Sequence, residues 1–100
     1  MPGAAALDVR LTHSIQAFWM RVANCETGGN WRMRGSSYSG GTGMANTTYR
    51  WWASELHLLG RYPNAADAPR AVQIEVSEYG YRVHHGYWGT IANGCAGRHP

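Results

Sequence analysis

Glu26 sits in the segment Cys25-Glu26-Thr27-Gly28-Gly29-Asn30-Trp31, directly after an apolar run at helical spacing: Ile15, Phe18, Trp19, Val22 and Ala23. That run predicts a helix that ends at or just before Glu26. Gly28, Gly29 and Asn30 tolerate the left-handed region and stop the helix there. The negative end of a helix dipole disfavours a carboxylate anion, and nearby indole surface disfavours it further by desolvation. A carboxyl group kept protonated is what glycoside cleavage uses as its general acid. Position alone also fits a solvated glutamate at an ordinary helix end.

Hydrolysis of a glycosidic bond usually needs a second carboxylate, as base or nucleophile. The other acidic residues are Asp8, Glu55, Asp67, Glu75 and Glu78. Asp8 falls in a non-periodic N-terminal stretch, Asp67 reads as a helix cap, and Glu55 reads as a helix-surface residue. Glu75 and Glu78 flank the apolar stripe of a helix, and none of the five has a motif of its own. The shortage points to a single-acid route, in which the substrate's own 6-hydroxyl attacks and a 1,6-anhydro product forms. Hydrolysis remains the alternative.

Three helices should position Glu26. The first is predicted from about Ser14, as N-cap, to Cys25. Residues 32–43 are rich in glycine and serine and read as an irregular loop or short hairpin, whose Gly40 and Gly41 would let backbone approach a sugar closely. A second helix should start near Asn46 or Thr47 and run to Gly60, burying Tyr49, Trp52, Ala53, Leu56 and Leu59. Arg61 to Asn64 makes a turn. Asp67 should cap a third helix, with Pro69 in its first turn, running to about His85 and stopped by Gly86. Its stripe is Val72, Val76, Tyr79 and Val83, and Gly80 marks close packing. The tail, with Tyr87, Trp88 and Ile91, should fold back on the core. Phe18, Trp19 and Trp52 read as core, whereas Trp31, Tyr38, Trp51 and Trp88 are candidates to stack on sugar faces.

The run from Trp19 through Val22-Ala23-Asn24-Cys25-Glu26-Thr27-Gly28-Gly29-Asn30-Trp31 resembles the start of the catalytic domain of resuscitation-promoting factors, actinobacterial muralytic enzymes with a small lysozyme-like fold. Tyr38-Ser39-Gly40-Gly41-Thr42-Gly43-Met44-Ala45-Asn46-Thr47-Thr48-Tyr49 is similar to that family's aromatic-x-Gly-Gly-x-Gln…Thr-Trp segment. Ala68-Pro69 with Gln73-Ile74-Glu75-Val76 resembles its third helix, and Gly86-Tyr87-Trp88 with Cys95 its closing Gly-Trp…Cys. The likeness spans roughly residues 15 to 96. It implies that Glu26 is the catalytic acid, that Cys25 and Cys95 form a disulfide, and that Tyr38 and Thr48 line the sugar cleft with Asn30, Trp31, Gly40 and Gly41 as further contacts. Gly43 stands where the family usually has Gln, Ala45 where some members have Asp, and Tyr49 where Trp is usual. These departures bear on substrate contacts more than on the reaction.

One hundred residues make one domain, read as a frayed arm over residues 1–12 and a catalytic domain over residues 13–97. A chain this size gains from a staple. Apart from the disulfide, the two cysteines could be free thiols or join His84 and His85 in a zinc site. The cysteines lack CxxC pairing and the histidines lack HxxxH spacing, which speaks against zinc. The net charge is +3, carried by nine arginines without a lysine. They are scattered rather than clustered and come with no nucleic-acid motif, so an anionic cell wall suits them better than nucleic acid. No stretch is long enough to span a membrane. A disulfide implies an oxidising compartment, yet Met1 to Asp8 has no basic n-region and no long apolar h-region. The chain therefore reads as a processed domain or a phage product, acting outside the cytoplasm as a secreted, wall-associated or virion-associated protein.

These readings converge on an α+β, mostly α, small lysozyme-like domain with three main helices, a short hairpin or Gly-rich loop, and one disulfide. The expected function is cleavage of the β-1,4 bond between N-acetylmuramic acid and N-acetylglucosamine, with no cofactor and no metal. The expected state is a monomer bound to glycan strands, with a partner peptidase or a larger virion assembly beside it. The alternative is a glycan-binding or structural module that keeps the fold without turnover; Gly43, Ala45 and Tyr49 are the residues that favour it.

Overall fold

A computed structural model describes residues 11–87 and 94–100. Helix α1 spans His13–Thr27. Its cap is Thr12 rather than Ser14: the Ile15 amide donates to Thr12 Oγ1 at 3.2 Å. Starting there leaves Leu11 just outside the helix, where it packs against the α1 core, while Gln16 Nε2 donates to its carbonyl. Of the arm read over residues 1–12, residues 1–10 lie outside the described residues, Asp8 among them. The far end of α1 closes on Gly28, at φ 67°, with the Gly28 amide bonded back to Asn24 and the Gly29 amide to Ala23. The helix therefore runs two residues past Cys25, and Glu26 occupies its last turn.

The Gly-rich segment forms a hairpin. Strand β1 (Tyr38–Ser39) pairs antiparallel with β2 (Met44–Ala45), with Tyr38 opposite Ala45 and Ser39 opposite Met44. The loop between them turns on Gly40 and Gly43, both at positive φ. β2 leads directly into helix α2, Asn46–Glu55. This helix stops five residues short of Gly60, because His57 takes a left-handed φ of 59° and the Leu58 amide turns back to the Ala53 carbonyl. Leu56, Leu58 and Leu59 still pack inward, so the apolar spacing survives after the helix has ended.

A single 3₁₀ turn, Ala65–Asp67, follows. Asp67 does not cap the third helix; it closes a reciprocal box with Asn64, accepting from the Asn64 amide while Asn64 Oδ1 accepts from Ala66. Helix α3 is Arg70–His84, with Pro69 just outside it and His85, at φ 58°, ending it in place of Gly86. Its middle is buried nearly all round, from Gln73 to Gly80. The reason is that α3 lies between two core clusters. Ile74 faces Ile15, Phe18, Trp19 and Val22 of α1, while Val76 and Tyr79 face Met44, Tyr49, Trp52 and Leu56. Val83 lies beyond both clusters and is exposed, contrary to its place in the predicted stripe. Trp88 and Ile91, expected to pack back, lie outside the described residues.

At Gly80, α3 passes close against Trp52 of α2. A Cβ built there would stand 2.1 Å from Trp52 Cζ3. Gly80→Ala is therefore expected to destabilise the domain by roughly 1–3 kcal/mol through overpacking, although alanine is the better helix former by about 1 kcal/mol. Urea denaturation of the two proteins checks the sign.

Cys25 and Cys95 form a disulfide, with Cα atoms 6.2 Å apart and seventy positions between them. Both sulfurs are thereby taken, which removes the zinc and free-thiol readings. No helix of the described residues is long and apolar enough to cross a membrane. The fold is the expected α+β, mostly α, domain of three helices, a hairpin and one staple.

Candidate active site

Glu26 projects from the last turn of α1 into a cleft bounded by the hairpin. Two grooves meet at it. One, of about 590 Å³, runs over Thr27, Met33, Gly35, Ser36 and Ser37. The other, of about 380 Å³, runs between β2 and α2 past Met44, Ala45, Thr48 and Trp52 to Gly86 and Tyr87. Glu26, Tyr38 and Gly43 line both, so the carboxyl stands at the junction of the two grooves.

Gly43 allows this arrangement. A Cβ there would be 3.3 Å from Glu26 Cβ, at a φ of +66°, so the hairpin passes beside the glutamate with bare backbone. Behind it, Gly41 is held from two sides: its amide donates to Gln73 Oε1 at 2.8 Å, and its carbonyl accepts from Thr27 Oγ1 at 2.7 Å. Gln73 Nε2 donates to the carbonyls of Trp31 and Ala68. This one buried amide therefore ties the hairpin, the loop after α1 and the start of α3 together.

The structure brings Glu26, Tyr38 and Thr48 into one cleft and sets the other predicted contacts behind or beside it. Gly40 and Gly41 are buried. The Trp31 ring lies so close to Gly41 that a Cβ there would meet it at 2.2 Å, and Trp31 packs on the α1 core. Asn30 turns its side-chain carbonyl to the Arg32 amide. None of these four lines either groove.

Met33, Ser36, Ser37, Met44, Trp52 and Tyr87 line the cleft without having been singled out for it. Register alone could have supplied part of this, since Ala45 is the cross-strand partner of Tyr38. Trp52 serves two surfaces: it is buried in the α2–α3 core yet walls the second groove. Tyr87 is nearly two-thirds of the chain from Glu26 and arrives only through the fold. Its hydroxyl bonds to Thr42, which bonds in turn to Ser77. Burial pushes the Tyr87 phenol to about 12, against the hydrogen bonds from Thr42 and Ser77 and with the charge of Glu26 adding to the rise. Tyr87 is therefore a neutral phenol at the floor of the groove.

Of the three departures from the resembling pattern, Gly43 and Ala45 line the cleft. Tyr49 does not; its hydroxyl is tied to the Tyr62 carbonyl at 2.7 Å and its ring is core.

Among the described residues lining these grooves Glu26 is the sole carboxylate. Three of the other described carboxylates are engaged elsewhere. Asp67 pairs with Arg34. Glu55 accepts from Tyr79 and Trp51 and meets His84 Nε2 at 2.7 Å. Glu78 is wholly buried, accepting from Trp19 Nε1 at 2.7 Å and bonded to Arg82 and His99. Glu75 has its carboxyl raised above the usual range by desolvation, but it stands apart from the grooves.

Two of these carboxyls are held below their ordinary value of 4.5. For Glu55 the hydrogen bond from Tyr79 is the largest cause, followed by His84. For Glu78 burial is the largest influence and raises it, but the bonds from His99, Trp19 and Arg82 together outweigh burial. A carboxyl depressed in the folded state stabilises the fold above its unfolded pKa. That contribution is lost as pH falls below about 4.5 and through the folded values. Thermal stability is expected to drop over that interval, and Glu78→Gln should flatten the drop when melting is followed against pH.

Residues 14–91 match the family model described as the transglycosylase-like domain. The chain belongs to that family. Resuscitation-promoting factor RpfA of Mycobacterium tuberculosis, in strains CDC 1551 and H37Rv, is 33% identical over 101 residues, covering 98% of this chain and 24% of the relative. The chain thus spans about a quarter of the length of the curated relatives it matches. No solved structure matches it. In this transglycosylase-like domain the matched stretch takes in α1 with Glu26, the hairpin, α2, α3 and Tyr87, which is every element of the cleft.

Proposed function

We propose that this chain is the peptidoglycan-cleaving domain of a lytic-transglycosylase-type enzyme, with Glu26 as its acid. The carrying observation is that a lone carboxylate stands where two grooves join in a member of the transglycosylase-like domain family. A glycan strand laid along both grooves places one glycosidic bond at Glu26. The bond taken is the β-1,4 linkage between N-acetylmuramic acid and N-acetylglucosamine.

Glu26 donates its proton to the bridging oxygen as the C1–O bond breaks, and the N-acetylglucosamine side leaves with a 4-hydroxyl. The 6-hydroxyl of the muramic acid then closes on its own C1 while the Glu26 carboxylate takes that hydroxyl's proton. The acid is regenerated and a 1,6-anhydro end remains. Among the described residues the lining holds no second carboxylate, which supports this over hydrolysis, which needs one for water. Tyr38, more than half exposed, stacks on a sugar face, and Thr48 hydrogen-bonds from the second groove. Trp31, Gly40 and Gly41 serve by holding the hairpin in place, and Asn30 shapes the loop after α1. Disulfide use supports action outside the cytoplasm.

The test is digestion of purified actinobacterial peptidoglycan with products read by mass spectrometry. Anhydro ends are expected; reducing ends would make the enzyme a hydrolase. Binding without soluble product would move the assignment to a glycan-binding module, the reading that Gly43 and Ala45 in the cleft wall favour.

A further inference from the structure

A third groove, of about 360 Å³, branches from the cleft at the start of α2. It shares Ser36, Ser37 and Tyr38 with the first groove, and Tyr38 and Ala45 with the second. Its remaining wall is Asn46, Thr47 and Arg50, so it is richer in hydroxyl, amide and cationic groups than a sugar face requires.

Two observations point to its occupant. Asn46 is pinned by its own amide groups: the backbone N–H donates to Ser37 at 2.8 Å, and Nδ2 donates to the Gly35 carbonyl at 3.0 Å. Its Oδ1 is buried with no hydrogen-bond partner among the described residues, so Asn46 stands as a fixed part of the groove wall. Arg50 stands one turn further along the same face, at i+4 from Asn46. It is exposed and makes no ion pair among the described residues. The helix start between them has no side-chain cap and no acidic residue in its first turn, which leaves the positive end of the dipole unopposed.

We propose that this branch holds the acyl-peptide stem of the glycan, with Arg50 pairing with a stem carboxylate. The assignment rests on the peptidoglycan reading above. A neutral sugar offers no charge for Arg50, whereas a peptide stem offers carboxylates. Arg50 is then a specificity-determining residue, away from the reacting atoms.

The test is equilibrium binding by the Glu26→Gln protein, with and without Arg50→Ala. Three soluble ligands are compared: a disaccharide-peptide muropeptide, the same compound with its carboxylates amidated, and an uncharged N-acetylglucosamine oligomer. Arg50→Ala is expected to weaken the first roughly three- to five-fold, as for a solvent-exposed ion pair, and to leave the other two unchanged. Added salt should remove the same increment. Equal loss on all three ligands, or no loss on the first with the fold intact by circular dichroism, would overturn the proposal. Product release by the wild-type protein is measured alongside. Its absence would sink the cleavage reading, while the binding comparison would still decide the role of Arg50.

Discussion

Glu26→Gln is expected to lower muropeptide release by about 10²–10⁴-fold, the usual worth of a positioned general acid. The substitution keeps shape and hydrogen-bonding capacity but removes the transferable proton. Glu26 is exposed at the end of α1, so the change should leave the melting temperature close to that of the wild type. Binding of glycan should survive, because Tyr38, Thr48 and the two grooves are untouched. Loss of turnover with retained binding and retained fold is the signature to look for. Unchanged turnover would remove Glu26 from the mechanism, and no other carboxylate among the described residues lines the grooves to replace it.

Replacing both Cys25 and Cys95 by serine is expected to cost roughly 4 kcal/mol in the chain-entropy picture of a seventy-residue loop. For a domain this small that is a fall in melting temperature of roughly 15 °C or more. A second consequence is local. The bridge joins the C-terminal segment to the residue directly before Glu26, and Arg21 Nε reinforces the junction by donating to the Ala96 carbonyl at 2.8 Å. Activity per folded molecule should therefore fall along with stability, because the last turn of α1 loses an anchor. Thermal melting paired with release rates at a temperature where both proteins are folded separates the two effects. Unchanged activity per folded molecule would reduce the disulfide to a staple alone.

Where the sequence misled, the cause was local competition between near-equivalent signals. Thr12 and Ser14 are both good caps, and only the anchoring of Leu11 in the core selects the first. Nothing in His57 announces a left-handed residue, so α2 looked longer than it is. Val83 falls in the helical stripe of α3 but beyond the reach of α2. Asp67 has a cap's chemistry, and it uses it on the 3₁₀ turn instead of on α3.

By itself the sequence determined three helices, a Gly-rich connection between the first two, and a glutamate at the end of the first helix. Those properties are written in spacings of one to four residues, and backbone geometry reads such spacings directly. The tertiary structure alone decided which surfaces face Glu26. Trp52 became both core and cleft wall because Gly80 and Gly86 let it lie flat between α2 and the end of α3. Glu78 was withdrawn from any chemistry by Trp19, fifty-nine residues away. Gln73 became the tie behind the hairpin. Each depends on side chains distant in sequence meeting at a particular distance. Periodicity carries no information about such meetings, because they are set by how helices of given shape pack once the chain has closed on itself.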